Sequence, residues 1–338
     1  MSARFYKNHQ RDKKGMRSLL WPTLLTIFLL HFPPCTALMI VDIVTGASQG
    51  IGKAVAEAIA GARSSRKNIT DSSYQLILVG RNEERGRQAA QDIAASTGLH
   101  VKFEECNVGN FRQVQLLRDR LLSQNTSQDG LRIGILVNNA AECPRQQQLV
   151  SHARRKADGK VVEEKVDAQF ATNVLGYHFM MRTFFGETES QCKDEPSYIV
   201  DIASNWAGDL DLSDLNFRKR CYDNDTAYRQ SKQADRMLSV LWASRLQDRN
   251  VKVNACHPGD PCTTLSRALG YNMYASAPNK NLIESSHNPI LHLCGLGSST
   301  LSTTGSWFDG GITPRKDRFA NQADKLQSLY DICESYCV

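Results

Sequence analysis

The run Thr45-Gly46-Ala47-Ser48-Gln49-Gly50-Ile51-Gly52, directly after the apolar stretch Met39 to Val44, constrains this chain more than any other segment. It reads as a strand, a glycine-rich turn and a helix start. Gly46 permits the tight turn, Gly50 lets the backbone approach a pyrophosphate, and Gly52 allows the helix to pack against the strand. Backbone N–H groups at the helix start, from Ser48 to Ile51, would then face a phosphate with the helix dipole behind them.

The rest of the chain repeats the pattern of strand then helix. Short apolar runs predict strands at Met39–Thr45, Gln75–Gly80, His100–Glu105, Ile133–Val137, Ser197–Ile202, Val251–Cys256 and Gly305–Phe308. Helical patterns lie between them at Gly50–Ala62, Glu83–Ser96, Phe111–Ser123, Glu163–Phe185 and Thr226–Arg249, with a terminal helix over Asn321–Tyr336. Strands that are nearly continuously apolar are buried on both faces, so the fold class is α/β, a doubly wound parallel sheet in a single domain. At 338 residues and 41% hydrophobic content the chain can bury such a core. Ala62–Ser73, Glu142–Gly159 and Gly208–Asp225 read as surface insertions, and Ser276–Asn288 as a mobile loop. The stretch from Asp260 to about Asn288 follows the sixth strand and would lie over the carboxyl ends of the strands.

The net charge of +6 does not indicate a nucleic-acid surface, because Arg4, Lys7, Arg11, Lys13, Lys14 and Arg17 against Asp12 alone carry nearly all of it. That basic stretch precedes the apolar run Leu19 to Leu30, then Pro33-Pro34 and the small residues near Ala37, as in a secretory signal peptide. The apolar run falls short of the roughly 20 residues that span a bilayer. The domains expected are therefore a leader over residues 1–37 and the α/β domain over 38–338. The location expected is the secretory pathway or endoplasmic reticulum, with a membrane anchor, or a cytosolic start at Met39, as the alternatives. Ten cysteines show no Cys-x-x-Cys pair or zinc-like spacing, so no metal site is expected. Cleavage after Ala37 would remove Cys35 and leave an odd number, and Cys333 and Cys337 read as reduced and partly buried.

Tyr228 and Lys232, in Ala-Tyr-Arg-Gln-Ser-Lys, are four residues apart and project from one helix face. A phenol beside an ammonium is a proton donor in the making: near pH 7 a free tyrosine, with a pKa of about 10, is a poor acid–base catalyst, and a neighbouring cation lowers that value. With Asn138-Asn139-Ala140-Ala141, Asn173-Val174-Leu175-Gly176, Ser204 and His257-Pro258-Gly259, the two motifs form an ordered series. This series resembles the short-chain dehydrogenase/reductase family from about Met39 to the C-terminus. The spacer between Ser204 and Tyr228, with Leu210 to Phe217 inside it, looks like the retinol-dehydrogenase-like branch.

The resemblance implies a Rossmann-type fold and hydride transfer between a nicotinamide and a carbonyl or alcohol. Tyr228 would be the general acid/base, Lys232 would support it and bond the nicotinamide ribose, and Ser204 would hold the carbonyl oxygen. Asn173 would support a water that relays protons to Lys232. Plain structural roles compete: a strand-end cap for Ser204 and a helix-fixing polar residue for Asn173, while His257 reads as structural. The expected cofactor is NADP(H), since Leu78-Val79-Gly80-Arg81-Asn82 places Arg81 where a 2′-phosphate would sit and an acidic partner for a free ribose is missing. Asn107 and Val108 would meet the adenine, Asn139 the adenosine ribose, and Thr263 the carboxamide or phosphate. The expected substrate is a small apolar or lipid-like carbonyl or alcohol. A homodimer and membrane association through the leader stay open, as does a non-catalytic NADP-binding scaffold or redox sensor.

Overall fold

The computed structural model describes residues 39–66, 73–124, 131–186, 195–260, 263–269, 289–297 and 301–338. In β1 (Met39–Thr45), Val41 and Ile43 enter one apolar core while Ile40 and Val44 face a second. That two-sided alternation makes β1 a central strand with helices on both faces. The chain continues through α1 (Gly50–Ser64), β2 (Tyr74–Gly80), α2 (Glu83–Thr97), β3 (Val101–Glu105), α3 (Phe111–Gln124) and β4 (Leu131–Asn138). A hairpin of β5 (Leu149–Arg155) and β6 (Val161–Asp167) follows. The next helix, α4, opens with a π turn over Phe170–Leu175, runs on through Gly176–Met181 and closes with a second π turn over Arg182–Gly186. Then come β7 (Ser197–Ile202), α5 (Asn224–Arg245), β8 (Val251–His257), the short α6 (Thr264–Ala268), β9 (Trp307–Asp309), β10 (Pro314–Arg315) and a C-terminal helix, Ala323–Glu334.

Eight strands form one sheet in the order β10-β9-β8-β7-β4-β1-β2-β3, parallel except for β10. The order reverses between β1 and β4, the switch point at which open α/β sheets bind ligands. α1 and α2 cover one face, where Val55, Ile59, Ala89 and Ile93 are buried. On the other face α3, α4, α5 and the C-terminal helix bury Leu117, Phe179, Leu238 and Leu329. Local chemistry sets the helix ends. Asn82 caps α2 by accepting from Arg85 N, Gly98 ends it at a φ of 70°, and Asp223 caps α5 by accepting from Thr226 N at 2.9 Å.

Most expected boundaries fall within two residues of those observed, and two expectations are corrected. The helix expected over Glu163–Phe185 is a strand up to Asp167 and a helix only from Phe170. Burial along Val161–Asp167 alternates, and Asp167 Oδ1 accepts from Gln169 N and Phe170 N to start α4. The insertion expected over Glu142–Gly159 contains β5, whose Arg155 N bonds Ser335 O at 2.7 Å beside the C-terminal helix. In the Gly208–Asp225 stretch, Leu215 and Phe217 are buried, and Asp214 accepts from the N–H groups of Arg218, Lys219 and Arg220. The leader and the Ser276–Asn288 loop lie outside the described residues. Among those described, Cys333 and Cys337 are free thiols, and no helix is long and apolar enough to cross a membrane.

Candidate active site

The glycine turn after β1 is closed by its neighbours. A Cβ on Gly52 would stand 2.4 Å from Gly46 O and 2.5 Å from Asn139 Nδ2, so only glycine fits where α1 leaves the sheet. A Cβ on Gly50 would meet only Thr263 Cγ2, at 3.9 Å, which leaves that backbone open to the space above the strands. Asn139 Nδ2 donates to Thr45 O at 2.9 Å, and Thr45 Oγ1 accepts from the N–H groups of Asn139 and Ala140. Asn139 thus ties the β4 end to the turn, a task the sequence did not reveal.

A cleft of ≈ 420 Å³ opens at this switch point. Gly46, Gln49, Gly50, Ile51, Asn139, Ser204, Tyr228, Lys232 and Thr263, all expected site residues, line it. Trp206, Leu265 and Leu269 give it apolar wall, and Asp260 and Arg267 bring charge. Ser48 lies beside Gly80 at the end of β2. Val108 is buried in the core against Gly176, and Asn107 Oδ1 accepts from Gly109 N at 3.1 Å. Thr263 faces Gly50 through its methyl group, while its hydroxyl caps α6 by accepting from Ser266 N at 3.1 Å.

Tyr228 is buried, which pushes its phenol above the ordinary tyrosine value against the pull of a hydrogen bond with Ser204. Ser204 Oγ also accepts from Trp206 N at 3.1 Å, so it both caps the strand end and reaches the phenol. Lys232 is committed elsewhere. Its Nζ donates to Asp235 Oδ2 at 2.9 Å, to Ile202 O at 2.9 Å and to Tyr177 Oη at 3.3 Å. Asn173 sits in the first π turn of α4, fully buried. Its Oδ1 accepts from Glu142 N, and its Nδ2 donates to Glu142 O and to Ser231 Oγ. Ser231 Oγ donates in turn to Tyr228 O at 2.8 Å, so Asn173 links the loop after β4 to the helix that carries the phenol.

Arg81 is exposed at the end of β2, outside the cleft lining, and its Nη1 donates to Glu142 Oε2 at 3.2 Å. Thr172 Oγ1 donates to the other oxygen of Glu142. Arg85, from the first turn of α2, reaches Gln49 Oε1 at 3.2 Å and brings a guanidinium to the glycine turn. Glu142, Arg85 and Asp235 escaped the sequence reading. The last carried a signal, since a carboxylate three residues after Lys232 shares its helix face.

A doubly wound parallel sheet with a glycine-rich turn, a tyrosine and a lysine at its switch point defines a class, and its relatives name the family. The short chain dehydrogenase model matches residues 41–272, and the chain belongs to that family. Its relatives place it in the retinol-dehydrogenase-like branch. It is 30% identical to Retinol dehydrogenase 13 of Mus musculus over 233 residues, 68% of this chain and 60% of that one. To Polyprenol dehydrogenase of Danio rerio it is 29% identical over 67% of this chain and 63% of that one. The chain therefore spans about three fifths of the length of these curated relatives. In fold it resembles a Mycobacterium paratuberculosis protein, with a TM-score of 0.59 and 21% identity over 89% of this chain and 94% of that one. It also resembles a Shigella flexneri short chain dehydrogenase complexed with NADP, with a TM-score of 0.51 and 19% identity over 81% and 98% of the two chains.

Proposed function

We propose that this chain is an NADP(H)-dependent oxidoreductase that reduces an apolar carbonyl, or oxidises the matching alcohol, with Tyr228 as the general acid/base. The observation that carries the reading is the meeting of Tyr228, Ser204 and Lys232 in the cleft that the glycine turn opens. The residues fit a dinucleotide: the backbone at Gly50 is open to the cleft, and the turn is held by Asn139. The end of β2 carries Arg81 and no carboxylate of its own. When bound, the nicotinamide would supply or accept the hydride. Ser204 would hold the substrate oxygen, and Tyr228 would give or take the proton at that atom. Arg81, with Arg85 nearby, would take a 2′-phosphate by charge-assisted bonds.

Trp206, Leu265 and Leu269 favour an apolar substrate, in keeping with the retinol and polyprenol in the relatives' names. The basic and apolar stretches of residues 1–37 support a secretory leader ahead of the catalytic domain. The engagement of all three Lys232 protons favours a second reading, a nucleotide-binding scaffold without turnover. A panel of aldehydes, ketones, retinoids and sterols, followed by NADPH absorbance, separates the two. The oxidoreductase reading expects oxidation of NADPH with at least one member and a clear preference over NADH. NADPH binding without turnover of any substrate in either direction would support the scaffold.

A further inference from the structure

We propose that Asp235 is a positioning residue: it takes up the charge of Lys232 beside Tyr228 and keeps the phenol a proton donor, the state that carbonyl reduction requires. The inference rests on the oxidoreductase reading above. An ammonium has three donors, and here each has an acceptor within the protein: Asp235 Oδ2, Ile202 O and Tyr177 Oη. Both members of the ion pair are buried, Lys232 at 3% and Asp235 at 0% side-chain exposure. The second carboxylate oxygen of Asp235 has no partner among the described residues. Two opposite charges 2.9 Å apart in a dry interior present a neighbour with little net field.

Among the described residues Arg267 is a further cation on the cleft wall, while the groups around the pair itself are acids. Toward this pair stand Tyr177 from α4, Asp201 from β7, Cys256 from β8 and Cys333 from the C-terminal helix. Tyr228 itself faces Cys143 and Asp260 as well as Asp235. Each of these groups is an acid, and any that ionises opposes a phenolate. Asp201 is occupied by Asn138 Nδ2 at 2.8 Å and Ser239 Oγ at 2.6 Å. Burial raises the carboxyl of Asp235 above the ordinary carboxylate value, against the pull of Lys232. Wherever Asp235 is a carboxylate it cancels the ammonium, and in neutral or acidic solution a tyrosine is protonated without help. Tyr228 therefore meets no uncovered ammonium over the range in which it could ionise.

In reduction, a bound reduced nicotinamide would supply the hydride for the carbonyl carbon, and the C=O π pair would move to oxygen. The O–H bond of Tyr228 breaks, a new O–H bond forms on the substrate, and the phenolate recovers its proton from solvent. The reverse reaction needs the phenolate first, so its rate should climb into the alkaline range.

The test titrates one phenol. The ultraviolet difference between the full chain and Tyr228→Phe reads Tyr228 without any turnover. No phenolate is expected below about pH 10, the ordinary tyrosine value. Asp235→Asn keeps the shape but uncovers the ammonium, and should lower the midpoint by about one pH unit or more. Alcohol oxidation at pH 7 should rise about tenfold with it, since phenolate grows tenfold per unit. Asp235→Glu should return the titration toward that of the unmutated protein. Phenolate well below pH 10 in the unmutated protein, which needs no Asp235 variant to fold, would overturn the inference. So would an Asp235→Asn midpoint that does not move, whatever happens to thermal stability. A protein that reduces nothing would overturn the oxidoreductase reading, not this titration.

Discussion

Glu142 already engages Arg81, the guanidinium proposed to bind the 2′-phosphate. The pair is 3.2 Å long and Arg81 is 58% exposed, so water screens it, and breaking it costs about 0.2–1 kcal/mol. Glu142→Gln should therefore tighten NADPH binding by up to about fivefold and leave NADH nearly unchanged, as read by quenching of protein fluorescence. Arg81→Asp should weaken NADPH by roughly tenfold to a hundredfold through the loss of a charge-assisted partner. If Glu142→Gln leaves the NADPH-to-NADH ratio where it was, Arg81 is not the phosphate ligand. Side chains of this kind are the least legible part of the sequence. Arg81 could be found from its place at the end of a strand. Glu142 reaches it only because the loop after β4 is pinned by Asn173, through contacts separated by 31 residues.

At the scale of elements, the central strands were legible because burial on both faces leaves continuous apolar runs such as Tyr74–Gly80. The β5–β6 hairpin was not. Its strands are largely exposed and polar, Glu163-Glu164-Lys165 suits a helix equally well, and the pairing is fixed by a turn at 156–160, with Gly159 at a φ of 82°. The C-terminal helix makes a titratable contact with α4. Trp242 Nε1 donates to His178 Nδ1 at 3.4 Å, which leaves the ring's proton on Nε2, facing Glu334 at 3.1 Å. Burial holds His178 below its ordinary value. Burial opposes the charge of Glu334, yet hydrogen bonds from His178 and Tyr330 and the charge of Arg182 hold its carboxyl down to about 2.

Both groups act in one direction. Below about pH 6.5 the unfolded chain protonates His178 before the folded one does, so stability falls with pH. Glu334 adds a loss only as pH falls from about 4.5 toward 2. His152 and His257, also held below their ordinary value by burial, contribute in the same sense as His178. His178→Gln, which can keep both hydrogen bonds, should remove up to about 1.4 kcal/mol per pH unit from the slope of unfolding free energy between pH 7 and 5. Urea denaturation at several pH values measures it. An unchanged slope would show that His178 titrates in the folded protein as it does in the unfolded chain.

For the whole molecule, the order of the strands matters more than any one residue. β1, β4, β7 and β8 end at the same edge of the sheet, and their ends and the segments just after them bring Gly46, Asn139, Ser204 and His257 to one cleft although the first and last are 211 positions apart in sequence. α5 then lays Tyr228 and Lys232 across that edge. The glycine turn, Asn139 and Ser204 were legible because each must be a particular residue type at a strand end, and Tyr228 with Lys232 because their spacing puts them on one helix face. The buried set behind them, Asp235 with Tyr177 and Asp201, was not, because an acid or phenol on a helix or strand reads equally well as surface until the packing is known. The central claim is that this cleft moves a proton through Tyr228. Its most direct measurement compares the unmutated protein with Tyr228→Phe on a substrate that the NADPH panel identifies, with NADPH affinity measured alongside. The phenylalanine keeps the ring and removes only the hydroxyl, so turnover should fall by about 10²–10⁴-fold while NADPH binding stays within a few-fold. Near-normal turnover in that variant would contradict the account, because the proton would then come from another group.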